Sequence, residues 1–251
     1  MEKHPNAAQQ MRETIYSLAS SSGVNQIICS THSPYMIDLS QKPNQVLNLL
    51  SLKSEKINVD SEELEAELVY CNPFNTSKAF IGLQEDDRAY VKMLIRIDDY
   101  ISKVFFARKV LIIEGDTEEV VLKETIERVE EGKRLNIMHN WQIVKARGKA
   151  SIISLVKYLK AMGINPYVMH DSDTGKEHAE KFNKPISEAV GDSNMVFKLE
   201  RCIEDVLGYD APNNEKPFKA YKFINDNWSD VDSISLKWKE TFCKIFGFDS
   251  L

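Results

Sequence analysis

Two short apolar runs, each ending on carboxylates, constrain this chain more than anything else in it. The first is Lys109-Val110-Leu111-Ile112-Ile113-Glu114-Gly115-Asp116-Thr117-Glu118, and the second is Tyr167-Val168-Met169-His170-Asp171-Ser172-Asp173. A brief apolar run bounded by turn residues reads as a strand buried on both faces, as in a parallel sheet. The surrounding sequence keeps that rhythm. Strands are expected at Val110–Ile113, Trp141–Val144, Tyr167–Met169 and Met195–Phe197. Helices are expected from Asp116 to Glu130, from Ala150 to Met162 before Gly163, around Glu177 to Phe182, and from Cys202 to Leu207 before Gly208. Such alternation predicts a small parallel sheet with helices on both faces. A last helix, Ser233–Phe246, turns Ile234, Trp238, Phe242 and Ile245 inward.

In a parallel α/β sheet, side chains from separate crossovers converge at the carboxyl ends of the strands. Acidic residues at a helix start have a plain explanation there: Asp116 can cap the following helix, Asp116 with Glu119 can form a capping box, and the dipole favours Glu118. That leaves Glu114, a carboxylate ending a buried strand. Asp171 and Asp173 likewise fit an Asx-type turn in Asp-Ser-Asp-Thr-Gly. Two such explanations must then hold together at equivalent strand ends of one sheet. The alternative is a divalent-metal site, because hard oxygen ligands suit Mg²⁺ or Mn²⁺. Two ions about 3.5–4 Å apart would clamp the attacking and leaving oxygens of an in-line displacement, which is phosphodiester chemistry.

The rest of the chain sets limits. Its 251 residues allow one large domain or two small ones. A net charge of −6 argues against coating nucleic acid by bulk attraction, yet bound cations would cancel part of that deficit locally. No apolar run is long enough to span a bilayer and no signal-peptide pattern opens the chain, so a cytoplasmic protein is expected. Cys29, Cys71, Cys202 and Cys243 have no ligand-like spacing and are expected to be buried free thiols. Ahead of the sheet, a helix at Ala7–Ser21 precedes expected strands at Gln26–Ser30, Gln45–Leu52 and Glu55–Val59. Ser61–Lys78 reads as a polar connector. A helix from Gln84 to Phe106 carries Tyr90, Leu94, Ile97, Ile101 and Phe105 on one stripe, for packing on its own domain or against a second copy.

With these residues in view, Ile113-Glu114-Gly115-Asp116-Thr117-Glu118 and Asp171-Ser172-Asp173 resemble the TOPRIM domain of topoisomerases, primases and certain nucleases. Phe105-Phe106-Ala107-Arg108-Lys109-Val110, Arg147-Gly148-Lys149, Ile203-Glu204-Asp205-Val206-Leu207-Gly208 and Glu215-Lys216-Pro217 are similar to the OLD (overcoming lysogenization defect) family of ATPase–nucleases. Gabija-type and retron-associated nucleases are related to that family. The resemblance implies that Glu114 and Glu118 are metal ligands, that Asp171 and Asp173 bind a second metal position, and that Glu204 is a further ligand, with Glu200 its rival. It implies that Lys216 contacts the scissile phosphate or helps to stabilise the transition state, and that Lys149 contacts another DNA phosphate at a helix N-terminus.

The first segment is similar to the end of the family's ABC-type ATPase. Glu2-Lys3-His4-Pro5 resembles the stretch after a Walker B acid, and Thr31-His32-Ser33-Pro34 the switch loop whose histidine, here His32, senses the ATP γ-phosphate. No GxxxxGK[ST] sequence is present, so ATP is expected to matter only where a complete ATPase domain is supplied, by a longer form of the protein or by another polypeptide. Expected, then, are an incomplete ABC-ATPase remnant over 1–70, a helical connector and possible dimerisation segment over 71–106, and an α/β TOPRIM nuclease domain over 107–251. The function implied is metal-dependent DNA endonuclease activity in antiviral defence, with DNA as substrate, oligomerisation of the intact protein and a possible defence-system partner. Alternatives are a non-catalytic assembly or regulatory subunit, or another TOPRIM phosphotransferase.

Overall fold

In the computed structural model, which describes residues 5–21, 26–37, 39, 46–59, 62–97 and 101–251, the expected apolar runs pair side by side. Helix α1 (Pro5–Ser20) and a short 3-10 turn at Pro34–Met36 come first. An antiparallel hairpin of β1 (Val46–Val59) and β2 (Glu62–Asn75) follows, then α2 (Thr76–Ile81), α3 (Glu85–Ile97) and a 3-10 turn at Ile101–Phe106. The α/β unit then runs β3 (Lys109–Ile113), α4 (Asp116–Arg128), α5 (Glu131–Asn140), β4 (Trp141–Lys145), α6 (Lys149–Ala161), β5 (Tyr167–Asp171), α7 (Glu177–Glu180), α8 (Asn183–Val190) and β6 (Val196–Leu199). It closes with α9 (Ile203–Leu207), α10 (Lys216–Asn227) and α11 (Leu236–Phe246).

The four later strands form one parallel sheet in the order β4-β3-β5-β6. Period-two alternation sorts the side chains of each strand between two cores. Val110, Ile112, Val144 and Val168 face one cluster with Val91 and Leu94 of α3 and Ile152, Leu155 and Leu159 of α6. Leu111, Ile113 and Met169 face another with Val121 and Leu122 of α4, Ile224 of α10, and Trp238 and Phe242 of α11. Both faces are therefore covered. From β3 the chain moves outward to β4, whereas from β5 it moves the opposite way to β6. The crevice between the carboxyl ends of β3 and β5 is thus a topological switch point, and Glu114 and Asp171 stand at it.

Several expectations differ. Gln26–Ser30 is not a strand; Ile28 is 86% exposed, and an isolated apolar run without a neighbouring ladder has no partners for its backbone groups. The two short strands expected at Gln45–Leu52 and Glu55–Val59 are one strand, and the supposed connector is its partner β2, with Val59 opposite Glu62. Leu64, Ala66, Leu68 and Tyr70 carry a period-two signal that the intervening glutamates obscured. The long connector helix is α3 and then a 3-10 turn, with residues 98–100 outside the description. Leu94, Ile101 and Phe105 of its stripe are buried, and Asp87 on α3 holds Ser154 and Lys157 of α6 at 2.7 and 2.6 Å. Helices α2, α5, α8 and α10 were not anticipated. Cys202 and Cys243 are buried, but Cys29 and Cys71 are exposed, because the segments that carry them lack cover. Residues 2–4, compared above with the sequence after a Walker B acid, lie outside the described residues. Among the described residues no helix is long and apolar enough to cross a membrane.

The second core includes a buried polar contact: the Trp238 indole N–H donates to the Thr125 hydroxyl at 2.8 Å, and that hydroxyl donates to the Val121 carbonyl at 2.7 Å. Thr125→Val strands the indole donor at a cost of about 1–3 kcal/mol. The melting temperature should fall by about 2–4 °C for each kcal/mol in a chain of this size, read by circular dichroism.

Candidate active site

The end of β3 is drawn into shape by backbone bonds from the loop after β4. The Ala146 N–H donates to the Ile113 carbonyl at 2.9 Å and the Gly148 N–H to the Glu114 carbonyl at 3.0 Å. Gly148 has φ 120°, a conformation side-chained residues rarely adopt, and it delivers the start of α6 beside Glu114. Gly115, not Asp116, is the N-cap of α4, and its N–H donates to Glu118 Oε2 at 3.0 Å. Asp116 instead pairs with Lys145 at 2.9 Å, outside the cluster of buried acids.

A pocket of about 250 Å³ opens at this corner, lined by residues that include Glu114, Glu118, Arg147, Asp171, Glu204 and Lys216. Four of the expected carboxylates therefore come together from β3, α4, β5 and α9. Glu118, Asp171 and Glu204 are buried, with Glu204 at 1% exposure. Glu114 Oε2, Asp171 Oδ1 and both carboxylate oxygens of Glu204 have no hydrogen-bond partner. Buried carboxylate oxygens are ordinarily satisfied, so this much unmet acceptor capacity in one place marks a site built for something else to bind. Lys216, the first residue of α10, places its ammonium 3.6 Å from Glu204 Oε1 while 40% of its side chain stays exposed. Glu200 points away, 81% exposed and paired with Lys237 at 3.3 Å, so Glu204 is the acid in the pocket.

Asp173 and Lys149 sit to one side and satisfy each other. Lys149 is 5% exposed, with its ammonium 2.8 Å from Asp173 Oδ2 and 3.1 Å from Asn183 Oδ1. It was expected to face a DNA phosphate; the structure buries it against an internal carboxylate. His32 is exposed on the segment before the hairpin and does not line the acidic pocket. Sequence reasoning missed Arg147. It lines the pocket, is exposed and has φ 58°, left-handed geometry that an Arg-Gly pair at the foot of a helix could have signalled.

Burial, then repulsion from Glu118, pushes the Glu114 carboxyl up to about 7, with Lys149 opposing. Burial and repulsion from Glu118 and Glu114 push Asp171 up to about 8. Burial also raises Glu118. Burial acts to raise Asp173 as well, but the bonds from Lys149 and Lys176 outweigh it and leave that carboxyl below its ordinary value. Oxygen donors only, buried and short of partners, fit a hard divalent cation, and Glu114, Glu118, Asp171 and Glu204 are the residues placed to hold it. Among the described residues, no three acidic, histidine or cysteine side chains already converge on one ion-sized point.

Residues 105–173 match the family model for the overcoming lysogenization defect protein-like TOPRIM domain. Over that stretch the chain is similar to OLD-like TOPRIM domains. It is also 23% identical over 237 residues to the OLD nuclease of Thermus scotoductus, covering 88% of this chain and 41% of that protein. The family match ends at Asp173, so Glu204 and Lys216 are attached to the OLD-like TOPRIM site by geometry and not by that match.

The metal-free fold favours the protonated forms of Glu114 and Asp171. Their contribution to stability is complete below the ordinary carboxylate range and is lost as pH rises through about 7 and about 8. In EDTA the melting temperature should therefore fall between pH 5 and 8.5, and Asp171→Asn should flatten the fall and raise the pH 8.5 value by a few degrees. Scanning fluorimetry across pH checks both; an unchanged slope in the variant contradicts the assignment.

Proposed function

We propose that this chain is the nuclease portion of a metal-dependent DNA endonuclease, with Glu114, Asp171 and Glu204, assisted by Glu118, holding Mg²⁺ or Mn²⁺. The observation that carries this reading is the set of buried, unpartnered carboxylate oxygens at the switch point of an OLD-like TOPRIM sheet. A bound divalent ion supplies a water of lowered pKa and neutralises charge on the departing 3′ oxygen.

The chain's own residues prepare the rest. The N-termini of α4 and α10 both open on the pocket, and oriented N–H groups at a helix start favour a phosphate. Lys216 bridges pocket and solvent, so its ammonium can leave Glu204 to meet the scissile phosphate as substrate arrives. Arg147 at the mouth is suited to a neighbouring phosphate, through two donors rather than one. Hydrolysis by activated water needs no further nucleophile, which favours a nuclease over TOPRIM phosphotransferases that need a covalent tyrosine. An antiviral role rests on the likeness to OLD proteins, whose family name refers to phage lysogeny. A non-catalytic subunit would have no use for buried acids without partners.

The test is nicking of supercoiled plasmid by the intact protein with Mg²⁺, Mn²⁺ or EDTA. Asp171→Asn and Glu204→Gln should each lower metal-dependent nicking by more than about a hundredfold while the protein stays folded. Arg147→Ala should weaken DNA binding at every sequence and reduce the salt slope by about one. Equal nicking by wild type and Asp171→Asn would remove this site from the chemistry. Inertness with every metal would leave the assembly-subunit reading.

A further inference from the structure

Asp173 differs from the other buried acids of the site. Glu114, Asp171 and Glu204 each leave oxygens without partners, whereas both Asp173 oxygens are taken by ammonium groups. Lys149 stands 2.8 Å from Oδ2 and Lys176 stands 3.1 Å from Oδ1. Asp173 is absent from the pocket lining, and its backbone is held in a left-handed conformation, φ 51°, with its N–H donating to the Arg201 carbonyl at 3.0 Å. The Lys149 side chain is 3% exposed. Its other partner, Asn183, is itself fixed by a 2.7 Å bond to the Ser172 carbonyl. The loop that delivers Lys149 is bonded to the end of β3 through Ala146 and Gly148. This lysine is therefore built into the site.

We infer that in the DNA-free protein Lys149 holds the place of a second cation at Asp173, so that the chain takes up one divalent ion, in the pocket of Glu114, Glu118, Asp171 and Glu204. This rests on the reading of that pocket as a metal site. Charge points the same way. Asp173 is already answered by Lys149 and Lys176, whereas Lys216 reaches Glu204 only at 3.6 Å, so the unmet negative charge lies in the pocket and not at Asp173. A Mg²⁺–oxygen bond is about 2.0–2.1 Å long, so an ion cannot take Asp173 Oδ2 from the same side while the Lys149 ammonium remains there. A buried ion pair is given up only when something replaces the lost partner. A second ion thus has to displace Lys149, and the lysine governs how many ions the site holds.

Counting ions tests this without reference to cleavage. Mn²⁺ is titrated into the full chain without DNA, with calorimetry for affinity and the paramagnetic signal of free Mn²⁺ for stoichiometry. Wild type should bind one ion, Lys149→Met two, and Asp173→Asn one with unchanged affinity. Two ions in wild type, or one in a folded Lys149→Met, overturn the inference. If Lys149→Met fails to fold, Asp173→Asn decides, since loss of the ion in that variant would mean Asp173 belongs to the first ion's ligands. No ion bound by wild type overturns the metal reading of the pocket itself, a distinct result.

Discussion

Like charges buried together at the end of a parallel sheet are the constraint on which the rest of this structure depends. Placing Glu118, Asp171 and Glu204 below one-tenth exposure, with Glu114 beside them, costs the fold both hydration and mutual repulsion. A sheet can carry that load only if its strands are held firmly elsewhere. Here the strands are buried on both faces, with Leu111, Ile112, Ile113, Val168 and Met169 all fully enclosed. The two cores on opposite sides of the sheet supply the apolar burial that a cluster of acids subtracts from. Strain at the site and packing beneath it are two sides of one arrangement.

Topology then decides where the acids meet. Because β3 lies between β4 and β5, the chain leaves β3 in one direction and β5 in the other, and the ends of these two strands face a gap no crossover fills. The α9 helix brings Glu204 across from beyond β6, and α10, packed on α4, sets Lys216 above it. Short-range order does the fine placement: the Gly115–Glu118 bond fixes one acid at the helix start, and Gly148 fixes the loop opposite. On the proposed reading, a hard cation would offer a partner to the unpartnered oxygens and lower the repulsion among the four carboxylates at once.

The legible part of this fold was the part whose signals are local. An apolar run that ends in Glu114 and another that ends in Asp171 announce buried strands with carboxylates at their tips, and Gly163 and Gly208 announce helix ends. The hairpin was less legible, since β2 alternates Leu and Ala with glutamates on a strand that faces solvent, and composition there mimics a connector. Gln26–Ser30 misled for the opposite reason: it is apolar enough for a buried strand, but a strand needs neighbours that no local pattern supplies. Glu204 over Glu200 was undecidable locally, as four residues separate two acids that the chain turns to opposite sides, one into the pocket and one to Lys237. Lys149 shows the limit most clearly. A lysine at a helix N-terminus reads as an anion contact, and it is one, but the anion is Asp173 within the same chain.

A spent site would differ from a working one in how its buried charge is answered. A domain kept only for assembly gains nothing from partnerless carboxylates, and replacing any one of Glu114, Asp171 or Glu204 by a neutral or apolar residue would relieve repulsion and stabilise the fold. In such a domain the pairing seen at Asp173 would be expected throughout, with every buried acid answered by a lysine or arginine. Instead the pairing stops at Asp173, and Lys216 approaches Glu204 only to 3.6 Å, short of a hydrogen bond. Internal cations thus balance part of the charge and leave the remainder around the pocket. On the proposed reading, uncompensated charge open to solvent would accept a cation from outside, and stability withheld from the metal-free fold would become binding energy for that ion.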